Sequence, residues 1–155
     1  MGLPNIEIRR AESRDSDQIW PLVQDFAFSY VPDPAPFERS LAELLDRPDT
    51  LLLVAEQDRR TVVGYLLASY HWTFLANGPV AWIEEVMVSE SARRQGVGNS
   101  LMSAAEVWAE AVPTAYVSLA SRRAGDFYLK TGYEDSATFF RKTFVPPVRQ
   151  MGEHQ

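Results

Sequence analysis

Residues 82–98 read WIEEVMVSESARRQGVG, an apolar strand that passes through a short polar turn into two glycines opening a helix. Gly96 and Gly98 lack a Cβ, so the main chain there admits close approach of a ligand. The first helical turn beyond them offers amide hydrogens with no partner inside the helix, and the helix dipole adds to their pull on an anion. Arg93 and Arg94 flank the turn and can add charge-assisted bonds to phosphate oxygens. A connecting turn with a solvated basic rim would look the same, so spacing by itself leaves phosphate binding and an ordinary connection both open.

Two other phosphate loops do not fit. The pattern G-x-G-x-x-G needs a third glycine where Leu101 stands, and the nucleoside triphosphate loop needs a Gly-Lys-Ser/Thr that is not there. What the segment spells is R-x-x-G-x-G, carried by Arg93, Gly96 and Gly98. Preceded by a hydrophobic strand ending at Val88, it resembles the coenzyme A pyrophosphate loop of the GNAT family of N-acetyltransferases. A second segment, SRRAGDFYLKTGY at 121–133, is similar to that family's N-x-x-A followed by F-Y-x-x-x-G-F/Y. Ala124, Phe127, Tyr128, Gly132 and Tyr133 match, whereas Ser121 replaces the usual asparagine. The resemblance runs from Ile6 to Phe144, nearly the whole chain.

Composition sets the bounds. A chain of 155 residues with 46% hydrophobic content can bury one core of ordinary size, so one domain over residues 1–145 with a tail at 146–155 is expected. There is no cysteine, which removes disulfides, thiolate metal sites and a cysteine nucleophile. His71 and His154 lie far apart, so no metal site is expected. The first residues lack the apolar stretch of a signal peptide, and no run approaches the roughly 20 apolar residues that span a bilayer. A cytoplasmic protein without membrane contact is the expectation. A net charge of −6 disfavours nucleic acid, which needs a basic face.

Periodicity orders the rest. Ile6 and Ile8 alternate with polar neighbours, as in a short first strand. Ile19, Leu22, Val23, Phe26 and Tyr30 recur at helical spacing after Asp15, with Pro21 implying a kink or a later start. Residues 31–36 (VPDPAP) read as a loop, and Phe37, Leu41, Leu44 and Leu45 as a short helix ending before Pro48. Residues 51–56 and 61–70 read as a hairpin, Asn77, Gly78 and Pro79 as a turn, and 80–88 as the strand before the glycines. Val97, Leu101, Ala105, Trp108 and Val112 form one buried stripe of the next helix. Residues 115–119 read as a strand, 122–131 as a helix, and 138–144 (TFFRKTF) as a last strand with the segment around Tyr133 pairing beside it. The fold class is therefore α/β, an α+β mixed sheet in the order β-α-α-β-β-β-α-β-α-β-β, which the resemblance makes a GNAT-like acyltransferase fold with a splayed central sheet.

The resemblance also implies roles. Acetyl-CoA, or coenzyme A, would be the co-substrate, with no metal. Val86, Met87 and Val88 would bond its pantetheine arm through main-chain groups, and the amides of Arg94, Gln95, Gly96, Val97, Gly98 and Asn99, with Arg93 beside them, would hold the pyrophosphate. Ser121 stands at a cofactor contact of the family. Tyr128 matches the tyrosine that protonates the departing thiolate, a role its reference pKa near 10 allows at neutral pH.

An amine acceptor must lose a proton before attack. For an amine of pKa about 10.4 this costs about 4.6 kcal/mol at pH 7. Glu84 and Glu85 lie mid-strand, and alternation sends them to opposite faces unless a bulge intervenes. The pair resembles the acidic pair of diamine acetyltransferases. Glu84 is the first choice as base, direct or through water, and Glu85 the second. Carboxylates that only cap an edge or pair with arginine are the plain alternative.

Phe28, Tyr30, His71, Trp72 and Phe74 could line an aromatic acceptor pocket, or equally fill a core or a dimer face. The expected partners are a small-molecule amine or a peptide acceptor. A non-catalytic coenzyme A sensor is the alternative from a different class. Phe139, Phe140 and Phe144 leave apolar surface that a second copy could cover, and the resemblance makes a homodimer a natural option.

Overall fold

The structure is a computed structural model that describes residues 4–27 and 30–145. Five strands form one sheet in sequential order: β1 (Ile6–Arg10), β2 (Thr50–Gln57), β3 (Thr61–Thr73), β4 (Gly78–Val88) and β5 (Val117–Leu119). The first four pair antiparallel, β2–β3 and β3–β4 through short turns and β1–β2 with residues 11–49 between them, while β5 runs parallel to β4. A parallel pair needs a crossover, and α3 (Val97–Ala111) supplies it. Its buried stripe is Val97, Leu101, Met102, Ala105 and Ala109, each large side chain contributing about 1.5–3 kcal/mol, whereas Trp108 and Val112 of the expected stripe are only half-buried. Among the described residues no helix is long and apolar enough to cross a membrane.

The opposite face carries α1 (Ser16–Phe26) and α2 (Pro34–Asp46), whose Ile19, Leu22 and Leu41 pack on Leu52, Val54 and Tyr65. An ion-pair network fixes where α1 starts. Arg9 on β1 donates to both carboxylate oxygens of Asp15 and to Glu56 of β2, each at 2.8 Å, and Asp15 is 2% exposed. These bonds from Arg9 hold the Asp15 carboxyl below its ordinary range. Gln18 then accepts the Val62 amide at 2.8 Å, beside a bulge in β3.

Three expectations are corrected. Pro21 does not delay α1 but sits inside an unbroken helix from Ser16, because the bond it forgoes is to Asp17 in the exposed first turn. The expected loop at 31–36 gives way to helix at Pro34, since proline suits the first helical position and Asp33 accepts the Ala35 amide at 3.3 Å. The two final strands are absent among the described residues, where 134–143 has no ladder. That stretch is held by side-chain and single main-chain contacts instead. Phe139 stacks on Trp82 with centroids 6.2 Å apart, and the Tyr30 hydroxyl donates to the Val145 carbonyl at 2.8 Å. The tail at 146–155 and Phe28 of the expected aromatic pocket lie outside the described residues.

Candidate active site

The turn between β4 and α3 takes the conformation an anion cradle needs. Arg94 has φ 65° and Gly96 φ 78°, two left-handed residues in the turn, a backbone conformation of the kind found in anion-binding nests. Gly96 is the N-cap of α3 and, having no side chain, gives it no side-chain cap. The first intrahelical bond of the cap is Ser100 N–H to the Gly96 carbonyl at 3.0 Å. The amides of Gly96, Val97, Gly98 and Asn99 precede it and have no partner inside the helix. Arg93 Nε donates to the Val88 carbonyl at 3.1 Å, which ties the turn back to β4. Gln95 reaches the Ser91 carbonyl at 3.5 Å.

Beside this cradle the sheet opens. β5 pairs with β4 only at Ala81, Ile83 and the residue between them, so the remainder of β4 has no strand on that edge. Met87 pairs with Tyr65, and its carbonyl lies against Gly64 of β3. Alternation therefore turns the peptide groups of Val86 and Val88 toward the gap. Of the three residues assigned to the pantetheine arm, Val86 and Val88 have main-chain groups on the open edge; that of Met87 belongs to the ladder.

The short helix α4 (Gly125–Lys130) closes the end of the gap. A Cβ on Gly98 would lie 3.7 Å from Phe127 Cζ and 3.9 Å from Val88, so cradle, strand and α4 meet there. Tyr128 follows, edge-on to Phe127 at 5.1 Å and to Tyr133 at 5.8 Å. Burial pushes the Tyr128 phenol above its ordinary value, so it keeps its proton at neutral pH. Tyr133 is pushed up to about 12 by burial, with Glu106 and Tyr128 adding to it, and its buried hydroxyl has no protein partner. Ser121 Oγ accepts the Ala124 amide at 3.0 Å, a local turn that presents α4.

The two glutamates are separated by a bulge. Leu67 faces Glu85 and Ala68 faces Ile83, which leaves Glu84 as the extra residue of β4. Glu84 is exposed and accepts from the Trp82 indole. Glu85 turns to the α1/α2 face, half-buried, where the Tyr65 hydroxyl donates to it at 2.7 Å. Burial raises the Glu85 carboxyl, with the Tyr65 bond opposing and Glu84 adding. Glu85 and Tyr65 close one wall of a cavity of about 230 Å³ roofed by α1 and α2, with Ile19, Val23, Phe37, Leu41 and Leu44 among its walls.

The other sequence candidates fall elsewhere. Trp72 and Phe74 border a second cavity at the β3–β4 tip with Asn77, and His71 precedes them, exposed. Tyr30 is exposed on the Val145 carbonyl. Sequence reading passed over Tyr65, Phe37, Asp33 and Ser40, all on the first cavity. Tyr65, set among Val62, Val63, Leu66 and Leu67, was the usable signal, because a buried phenol needs a partner for its hydroxyl.

No curated protein matches the chain significantly in sequence. Solved structures match closely in shape. A transcriptional regulator from Bacillus halodurans C-125 is 23% identical, with a TM-score of 0.81 over 90% of this chain and 100% of that one. Glucosamine-6-phosphate N-acetyltransferase from Arabidopsis thaliana is 20% identical, with 0.80 over 91% and 99%. An aminoglycoside N-acetyltransferase in complex with CoA is 19% identical, with 0.75 over 91% and 97%. At such identities the likeness establishes the fold alone. The family assignment comes from the sequence match itself, which covers residues 16–133 and so takes in cradle, open strand edge and α4 together: the chain belongs to the acetyltransferase (GNAT) family.

Proposed function

We propose that the protein transfers an acetyl group from acetyl-CoA to a primary amine of a small molecule, by direct attack in a ternary complex. The observation that carries this reading is the pair Glu85 and Val86 on β4. One sends its carboxylate into the cavity under α1 and α2; the next turns its peptide group to the gap beside the cradle. A single bulged strand thus presents a proton acceptor to one side and open main-chain groups to the other.

The residues present fit acetyl-CoA. Its diphosphate suits the uncapped amides of Gly96 to Asn99 with Arg93 and Arg94 beside them, and its amide arm suits the open edge at Val86 and Val88. When bound, it supplies an activated acetyl group, which moves from sulfur to nitrogen as the C–S bond breaks and the C–N bond forms. Glu85 is the preferred base over Glu84, because its raised carboxyl lies nearer the working pH and the Tyr65 hydroxyl orients it. It takes the ammonium proton directly or through one water. Tyr128 holds its proton and serves as donor to the leaving thiolate. A cavity of about 230 Å³ favours a small acceptor over a peptide, which would need a longer groove.

The test is calorimetric titration with acetyl-CoA alongside thiol release across an amine panel. Saturable binding with amine-dependent release supports the reading. Absence of binding, or binding with no release for any amine, overturns it.

A further inference from the structure

The acceptor cavity says which kind of amine belongs in it. Its walls are aliphatic and aromatic, contributed by both helices and by β2 and β3. Among the described residues the polar groups on it are Asp33, Ser40, Tyr65 and Glu85, and none of those lining it is a lysine, arginine or histidine. Asp33 is exposed at the rim and engaged with the Ala35 amide, so Glu85 is the one carboxylate set within the walls. The 230 Å³ equal about eight water volumes, below the range of pockets that take drug-sized ligands.

Each feature excludes a class. A phosphorylated amino sugar would place a dianion where no cation answers it. A polyamine or multi-ring amino sugar would bury further ammonium or hydroxyl groups against Leu41, Leu44 and Phe37 without partners. A single ammonium at Glu85 with a compact apolar body behind it leaves nothing unpaired. Resting on the proposed activity for its reaction though not for its binding, we infer that the acceptor is a primary monoamine with a small aryl or branched-alkyl body.

The experiment uses the full chain saturated with CoA, titrated calorimetrically with 2-phenylethylamine, isopentylamine, putrescine and glucosamine 6-phosphate. The same amines are then followed for thiol release from acetyl-CoA. The two apolar monoamines should bind with a negative heat-capacity change and exceed the others in kcat/KM by about 10- to 100-fold, the worth of burying one side-chain-sized apolar group. Ser40→Asp, at an exposed wall position, should narrow the preference over putrescine by about tenfold through the KM for putrescine. Binding of the monoamines without turnover supports the inference and defeats the proposed reaction. Turnover that favours putrescine or the sugar phosphate defeats the inference and leaves the reaction standing. No binding and no turnover of the monoamines overturns it in every case.

Discussion

Gly64→Ala tests how tightly the open strand is held. Gly64 lies in β3 beneath the first turn of α3, and a Cβ there would sit 2.9 Å from the Met87 carbonyl oxygen, 3.3 Å from Leu101 Cδ1 and 3.4 Å from Val97 Cγ1. The two side chains can give by a few tenths of an ångström, but the carbonyl is main chain in the β3–β4 ladder and cannot rotate away. Relief requires β4 to move outward or α3 to lift, an overpacking cost of about 1–3 kcal/mol. For a chain of this size each kcal/mol shifts Tm by about 2–4 °C, so a fall of roughly 2–12 °C is expected by scanning calorimetry or thermal circular dichroism. The displaced residues are Met87 and its neighbours Val86 and Val88, so acetyl-CoA affinity measured by titration at 15 °C, where the variant is folded, should also drop. An unchanged Tm would refute the packing argument. A lower Tm with native acetyl-CoA affinity would show that this edge of β4 does not hold the cofactor arm.

Four further outcomes follow from the same structure. Glu85→Gln keeps an acceptor for the Tyr65 hydroxyl and should cut kcat by about 10²- to 10⁴-fold, the usual span for a lost general base, while abolishing the acid limb of the kcat/KM profile. The folded carboxyl holds its proton above the ordinary value of 4.5, so the stabilisation tied to that proton is present at low pH and lost as pH rises through the folded pKa. Tm of the parent should therefore decline relative to Glu85→Gln between pH 4 and pH 8, and parallel curves would contradict the buried placement. Tyr128→Phe should lower turnover by about tenfold or more with acetyl-CoA affinity within about threefold, and weak binding with normal turnover would reverse the assignment. Asp33→Ala removes the N-cap of α2 and should cost about 1 kcal/mol in urea denaturation, with no loss meaning that the two prolines alone start the helix.

The cradle was legible because it is local. A strand, a turn with arginines and two glycines is a contiguous pattern, and the uncapped amides follow from Gly96 standing at the helix start. The four antiparallel strands were legible as apolar runs between turn residues, and the α3 stripe in part, through Val97, Leu101 and Ala105, since both are written along the chain. Two things were not legible. Residues 138–144 carry strand-favouring threonine and phenylalanine but no ladder, because residue type says nothing of whether an edge is available to pair with. The order of preference between Glu84 and Glu85 depended on a bulge opposite Leu67 and Ala68, a register event between residues far apart in sequence.

The chain by itself determined its family, the position of the glycine turn that opens α3 and the presence of two carboxylates on one strand, all of which are carried by neighbouring residues. Tertiary structure alone decided which carboxylate enters a cavity, that Tyr65 meets it, and that the walls around it are apolar. Those facts belong to α1, α2, β3 and β4 jointly, and burial, with the rise in the Glu85 carboxyl that follows from it, exists only once these elements have excluded water together.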